Sequence, residues 1–233
     1  MNKTIYTLIT MLLMVCGIEC SAQTVSGQVE GHDYVDLGLP SGTKWATYNI
    51  GATKPTEYGD YFAWGETKPQ RDYSWDSYKW CHYKSSDGYG DPTDFNKYVT
   101  DSKRGSVDNK TVLDAEDDAA TTNWGSAWRT PTEKEMTELK DGCNWEWTDN
   151  YNETKVTGMI GRSKTNGNTI FLPAAQSKDD EIYTSNVNYG KYLTCSLHQK
   201  ESILAIYLFI EKEKIGFGYD SRCYGMTVRS VLK

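Results

Sequence analysis

The chain lacks the residue patterns that identify most of the common enzymes. It holds only three histidines among 233 residues, no serine in a Gly-x-Ser-x-Gly setting and no His-Glu-x-x-His segment. No Cys-x-x-Cys pair occurs either, so the spacing typical of a structural zinc site is missing. We therefore expect a protein that is not an enzyme, with no catalytic residues, no bound metal and no cofactor.

Basic surfaces and repeats are missing as well. The formal net charge is -7, and the sequence contains no basic stripe or long block of like charge. Nucleic acid and anionic membrane surfaces are therefore not expected as the main partners. The absence of an internal repeat or low-complexity linker argues against a solenoid or propeller. The length favours one domain over residues 23–233.

What precedes that domain has the layout of a secretory signal peptide. Residues 1–22 carry a basic residue near the start, an apolar run over residues 5–15 and small residues before the expected cleavage after Ala22. The apolar run is too short to span a bilayer, so we expect no membrane insertion after cleavage. The predicted location is secreted, periplasmic or on the cell surface. A lipoprotein acylated at Cys16 or Cys20 is the weaker alternative, because neither cysteine follows a small residue.

Four cysteines remain after the signal peptide, namely Cys81, Cys143, Cys195 and Cys223. Export would place them in an oxidising compartment, where disulfides persist. Three complete pairings are possible. We favour Cys195 with Cys223, since both lie in a C-terminal region predicted as successive strands, and this bridge would contribute about 3 to 4 kcal/mol. The alternative for Cys81 and Cys143 is that they are buried thiols.

Strands are predicted at both ends of the chain. Val35, Leu37 and Leu39 alternate with polar residues, which indicates a half-buried strand, and residues 59–66 read as a second short strand. The polar stretch 67–109 is predicted as long loops held by aromatic anchors; these anchors are Trp75, Tyr78 and Trp80. Further strands are predicted at residues 169–175, 202–211, 214–221 and 224–232.

Two helices are predicted in the middle of the chain. The first covers residues 114–125, with Asp114 as the N-cap and Gly125 as the stop. Arg129, which follows it, could meet an acid such as Asp118. Helices in the middle with strands at both ends favour an α+β fold over alternating βαβ units.

The second helix begins in the segment WGSAWRTPTEKEMTELK, residues 124–140. Thr130 as N-cap would place Pro131 at the first helical position and Glu133 at the third, which completes a capping box. The spacing then predicts a buried helix face, made by Met136, Leu139 and Cys143.

Several segments in a fixed order carry a resemblance to a known family. They are GHDYVDLGLPSGTKWATYNIGA, GDYFAWGE, DDAATTNWGSAWRTPTEKEMTEL, IFLPAA and YGMTVRSV. The chain resembles the Fibrobacter succinogenes major paralogous domain family, found in many exported proteins of gut and oral Bacteroidetes. WRTPTEKE is also similar to a block of the formylglycine-generating enzymes. The resemblance implies a C-type lectin-like fold: two helices packed on antiparallel sheets with long loops, and the chain ends close together in a β-ribbon.

The resemblance also bears on the site. The closely spaced cysteine pair that binds copper in formylglycine-generating enzymes has no counterpart here, and WTDN at 147–150 does not match the motif of calcium-dependent lectins. Ligands of C-type lectin-like folds commonly lie on the C-terminal loops and strands. By that analogy the expected ligand-binding residues are Tyr189, Tyr192, His198, Tyr219, Arg222 and Tyr224.

Composition and resemblance together predict a non-catalytic binding module. The chain has 17 Tyr and 8 Trp but only 5 Phe, and rings with a polar handle suit recognition surfaces and sugar faces. The expected partner is a glycan or a protein at the cell exterior. The alternatives are a structural or adhesin component of the cell surface and an oxidase of the formylglycine-generating type. A calcium loop at Asp87, Asp91 and Asp94 is weighed against a solvated loop.

Overall fold

The computed structural model describes residues 22–82, 92–178 and 189–232. The predicted signal peptide lies outside these ranges except for Ala22, and so do Asp87 and Asp91 of the acidic loop. Within the described ranges the chain forms short helices and mostly antiparallel strands. The α+β prediction is therefore confirmed at this level.

The elements follow one another with the helices in the middle of the chain. In chain order they are β1 (Gly27–Val29), β2 (His32–Asp36), β3 (Lys44–Ala46), α1 (Ala119–Trp124), β4 (Trp128–Arg129), α2 (Glu133–Gly142), β5 (Cys143–Thr148), β6 (Gly158–Ser163), β7 (Thr169–Pro173), β8 (Tyr189–Leu197), β9 (Leu204–Glu211), β10 (Lys214–Ser221) and β11 (Val231–Leu232).

The strands form three sheets, one of which joins the two ends of the described chain. Its order is β1-β2-β3-β11-β4, so the last strand lies between β3 and β4. Val231 is opposite Trp45 on one side and Arg129 on the other. The other two sheets are the meanders β5-β6-β7 and β8-β9-β10.

Of the two strands predicted near the N-terminus, the first is present and the second is not. Val35, Leu37 and Leu39 are all buried, as the alternation predicts, although β2 ends at Asp36. Residues 59–66 are not a regular strand, which corrects the prediction. Gly59 and Gly65 have positive φ angles of 75° and 80°, and such left-handed turns end an extended segment on both sides. Only Phe62 forms a bridge there, with Met226.

The first helix begins later than its sequence predicts. Asp118, and not Asp114, is the N-cap of α1, since residues 115–117 form a separate 3-10 turn. Gly125 ends the helix as predicted. The carboxylate of Asp118 accepts hydrogen bonds from the backbone N–H groups of Ala120 and Thr121 at 2.8 and 3.0 Å.

The second helix also begins later, and this too is a correction. Thr132 is the N-cap and forms the capping box with Glu135, two residues beyond the predicted pair of Thr130 and Glu133. The segment TPTEKE contains two overlapping Thr-x-x-Glu boxes. The first is not used, because the backbone N–H and hydroxyl of Thr130 donate to the buried carboxylate of Asp118. Pro131 therefore precedes the N-cap.

The face of α2 is buried as predicted. Met136, Leu139 and Cys143 join a core cluster with residues of the β2, β8 and β9 strands. Trp128 is fully buried in a second cluster, where Trp124 packs edge-on against it at 5.3 Å. The aromatic segment before α2 is therefore part of the core, but it lies in a different cluster from the buried face of the helix.

Candidate functional site

The β8-β9-β10 sheet has one face in the core and one that is half-buried. Tyr192, Leu208 and Ile210 point to the core and are fully buried. On the other side the register places Lys191 opposite Phe209 and Tyr207 opposite Gly218. We call this side the aromatic face; its members are Tyr189, Lys191, Tyr207, Phe209 and Asp220, all of intermediate exposure.

Two rings of the aromatic face pack over glycines of the neighbouring strand. Gly216 and Gly218 stand opposite Phe209 and Tyr207 on β10. A Cβ at Gly218 would lie 2.6 Å from the hydroxyl oxygen of Tyr207, and one at Gly216 would lie 2.9 Å from Cζ of Phe209. The glycines thus leave the space that these rings occupy. Because the two rings are two residues apart on β9, they are spaced by about 7 Å and form one surface.

Lys191 places a positive charge on the aromatic face. The ammonium group of Lys191 lies 5.0 Å from the ring centre of Tyr207, 5.8 Å from that of Tyr189 and 2.9 Å from the carboxylate of Asp220. Burial lowers the pKa of Lys191, but the hydrogen bond to Asp220 outweighs that effect and raises it. The aromatic face therefore combines ring surfaces with a charged donor and a carboxylate acceptor.

The predicted ligand-binding residues are only partly on this surface. Tyr189 belongs to the aromatic face. Tyr219 is 62% exposed and lies on the opposite side of the sheet, where its ring is 4.9 Å from that of His198. Tyr224 is half-buried and packs between two core clusters. These three tyrosines therefore do not form one site.

Two predicted site residues are inside the protein, and their assignment is corrected. Tyr192 is 0% exposed and donates its hydroxyl to the carbonyl oxygen of Pro173 at 2.5 Å. Arg222 is also 0% exposed, and its guanidinium donates to the backbone carbonyls of Tyr98 and Ser202, both at 2.9 Å. A ligand cannot reach either side chain in this conformation, so both are structural.

The rings that sequence reasoning missed are Tyr207 and Phe209. They fall in the run SILAIYLFIE, in which aromatic and aliphatic residues occupy almost every position. The run therefore predicts a strand but does not separate its two faces. The sequence feature that could have identified these rings is the pair Gly216 and Gly218, because alternate glycines on a neighbouring strand leave room for aromatic rings.

A second polar region surrounds the start of α2. We call it the helix entrance; its residues are Asp118, Arg129, Thr130, Thr132 and Glu135. Arg129 forms a two-pronged ion pair with Glu135, one contact being 2.7 Å, and not with Asp118 as predicted. Thr132 donates its backbone N–H to Glu135 at 2.9 Å. Burial opposes ionisation, but these donors outweigh it and lower the pKa of Glu135 to about 2.

An acidic cluster is the one group of possible metal ligands that the described residues bring together. It contains Asp114, Glu116 and Asp117. Lys97 lies 2.7 Å from Asp114 and 2.5 Å from Asp117, and Lys79 lies 3.3 Å from Asp117. These ammonium groups already occupy the positions that a cation would take. The cluster is therefore an ion-pair network.

The cysteines of the described residues are all buried, and the structure has them as thiols. The favoured Cys195–Cys223 bridge does not form, because the two residues lie in different surroundings. Cys195 is beside the helix entrance, while Cys223 is in a cluster with Cys81. Burial raises the pKa of Cys143 to about 11, and burial together with the Asp118 carboxylate raises that of Cys195 to about 12. Both side chains therefore favour the neutral thiol form, whereas the thiolate is the nucleophilic form of cysteine.

Comparison with known proteins does not identify a relative: no family model, curated protein or solved structure matches the chain. In the part of the chain that the structure describes, no helix has the length and apolar character to cross a bilayer.

Proposed function

We propose that the protein is a non-catalytic binding module that holds a carbohydrate on the aromatic face. The observation that carries this proposal is the pair of half-exposed rings, Tyr207 and Phe209, which pack over Gly218 and Gly216 respectively. A sugar ring has an apolar face of C–H groups and a polar rim of hydroxyls. It therefore matches a surface that offers aromatic faces for stacking and charged groups beside them.

The polar groups of the aromatic face support the same ligand class. Lys191 and Asp220 are paired at 2.9 Å, and their side chains keep 18% and 30% exposure. Lys191 is a donor and Asp220 an acceptor, and each has remaining capacity to bond a hydroxyl group. The acidic cluster and the helix entrance lack this capacity to bond a ligand hydroxyl, because their polar groups are bonded to one another.

The fold and location are part of the proposal. We propose that the chain has the C-type lectin-like architecture of the Fibrobacter succinogenes major paralogous domain family and acts after export, outside the cytoplasm. Support comes from β11, which brings the C-terminal end of the chain beside β3 near its start. The two helices in the middle of the chain and the capped helix of the TPTEKE block also fit it.

The test compares two tyrosines in the same local setting. Tyr34 lies over Gly27 with its hydroxyl oxygen 2.6 Å from where a Cβ would be, and Lys44 lies 5.2 Å from its ring centre. Tyr34→Ala therefore removes one ring–glycine contact on another sheet. Tyr207→Ala combined with Phe209→Ala removes the proposed surface.

Affinity electrophoresis through gels containing soluble plant and microbial polysaccharides gives the readout. The wild type and Tyr34→Ala should be retarded by the same polysaccharide, and the double variant should run as in a gel without it. Stacking is worth about 0.5 to 1.5 kcal/mol per ring, so loss of the two rings together corresponds to a loss of affinity of roughly 5- to 150-fold. Equal retardation of the wild type and the double variant would remove the aromatic face as the site.

A further inference from the structure

Cys81 and Cys223 lie in one buried cluster although they are about 140 residues apart in sequence. Their exposures are 6% and 1%. We call this group the loop cluster; its buried members are Ala63, Tyr73, Tyr78, Cys81, Phe95, Val99 and Cys223. It is where the described loop residues 67–82 and 92–109 meet the C-terminal part of the chain.

The backbone brings the two cysteines to this place by separate routes. The N–H of Cys81 donates to the carbonyl of Tyr78 at 3.3 Å, and Cys81 forms a bridge with Phe95. Arg222, the neighbour of Cys223, has its guanidinium carbon 3.9 Å from the ring centre of Phe95 and 5.3 Å from that of Tyr78. The residues that hold Cys81 are therefore packed against the residue that precedes Cys223.

The other two described cysteines have different neighbours. Cys143 is at the end of α2 in the cluster of Met136 and Leu139. Cys195 is near Asp118, whose negative charge disfavours a thiolate. Among the described residues, only the loop cluster contains two cysteines.

The charge of Arg222 favours reaction at this pair. Its guanidinium interacts electrostatically with Cys81 and Cys223 and also with the Asp108 carboxylate, and its hydrogen bonds in the described residues go to backbone carbonyls. A nearby positive charge stabilises a thiolate, which is the form that attacks a disulfide.

We propose that Cys81 and Cys223 form a disulfide when the chain folds in an oxidising compartment, and that this bond ties the loop around Cys81 to the C-terminal segment. One thiolate attacks the disulfide of an oxidant, such as oxidised glutathione, and releases one thiol. The second thiolate then attacks the mixed disulfide and releases the other. The two cysteines lose two protons and two electrons in all, and the oxidant is reduced to two thiols.

Peptide mapping tests the pairing directly. The full chain is refolded with reduced and oxidised glutathione, denatured, alkylated and digested without reduction, and the peptides are identified by mass spectrometry. We expect a linked pair that contains Cys81 and Cys223, with Cys143 and Cys195 alkylated. Alkylation of both Cys81 and Cys223, or a link from either of them to Cys195, would overturn the proposal.

Thermal unfolding gives a second readout with matched controls. Reducing agent should lower the midpoint of the wild type by roughly 10 °C, since the bond closes a long loop. The same shift is expected in Cys143→Ser, whereas Cys81→Ala should show none. If Cys81→Ala does not fold, Cys223→Ala serves as the variant without the bond. The peptide map of the wild type tests the pairing independently of either variant. An equal shift in wild type and Cys81→Ala contradicts the bond.

Discussion

The helix entrance and the aromatic face both contain charged groups, and they differ in how many of their polar groups are already bonded within the protein. At the helix entrance, Asp118 and Glu135 accept hydrogen bonds from backbone N–H groups, threonine hydroxyls and Arg129. On the aromatic face, Tyr207 and Phe209 keep part of their ring surface exposed. A set of polar groups that is satisfied internally stabilises the fold, whereas a surface that is half open can take a ligand.

This difference predicts that changes at the helix entrance alter stability but not binding. Changes on the aromatic face should act mainly on binding, with a smaller effect on stability where a ring such as Tyr207 also packs against the core. The variants below test that division, beginning with the largest expected effect.

Asp118→Ala should cause the largest loss of stability. The carboxylate is 4% exposed and accepts from Ala120, Thr121 and Thr130. Its removal takes away the cap of α1 and leaves buried N–H groups without acceptors, which costs about 3 kcal/mol. Urea unfolding measures the loss. Binding by the folded fraction should not change. If the free energy of unfolding falls by less than the scatter of the measurement, the carboxylate has no structural role.

Glu135 should make stability depend on pH between about 4.5 and 2. Its folded pKa of about 2 is below the ordinary value of 4.5. Its contribution is therefore present above the unfolded pKa and is lost as the pH falls toward the folded pKa. The expected loss is about 2 to 3 kcal/mol, since the side chain is only 13% exposed. The Glu135→Gln variant should be less stable at pH 7, and its free energy of unfolding should change less between pH 4.5 and 2 than that of the wild type. If the two proteins lose stability in parallel over this range, Glu135 is not the group responsible.

Gly218→Ala should weaken binding through the position of the ring above it. A Cβ there would lie 2.6 Å from the Tyr207 hydroxyl oxygen, so the ring must move off β10. We expect roughly a tenfold loss of affinity, about the worth of one stacked ring. Gly27→Ala displaces Tyr34 by the same contact distance and serves as the control. If both glycine variants lower binding equally, the effect comes from general destabilisation.

Asp220→Asn should have the smallest effect. It breaks the 2.9 Å ion pair with Lys191 but keeps an acceptor oxygen and the shape of the side chain. Stability should change by less than about 1 kcal/mol, because partly exposed ion pairs contribute little. Affinity should fall only a few-fold in the electrophoretic assay. Complete loss of binding would mean that the charge of Asp220, and not the rings, dominates recognition.

Local patterns in the sequence predicted elements better than they predicted contacts. The alternation of Val35, Leu37 and Leu39 and the spacing of Met136 and Leu139 identified buried faces correctly, because each depends on the period of one element. The choice between the two overlapping capping boxes depended on Asp118, which reaches Thr130 from another element. No local pattern reports such a contact.

The site was predicted less well for a related reason. Arg222 was placed at the site by analogy with C-type lectin-like folds, yet it is fully buried and its partners are backbone carbonyls from distant segments. Tyr207 and Phe209 were hidden in a run without alternation, and their role depends on Gly216 and Gly218 across the sheet. Tyr189 is common to the predicted set and the aromatic face, and its role in binding stays a prediction.

The most direct measurement of the central claim is the binding of the full chain to a broad glycan array, in calcium and again in chelator. The account predicts binding to a carbohydrate class that is unchanged by the chelator and absent in the variant with Tyr207→Ala and Phe209→Ala. Binding that chelator abolishes would contradict it, because the site would then depend on a metal and not on the rings. A blank array would also contradict it and would favour a protein ligand or a structural role at the cell surface.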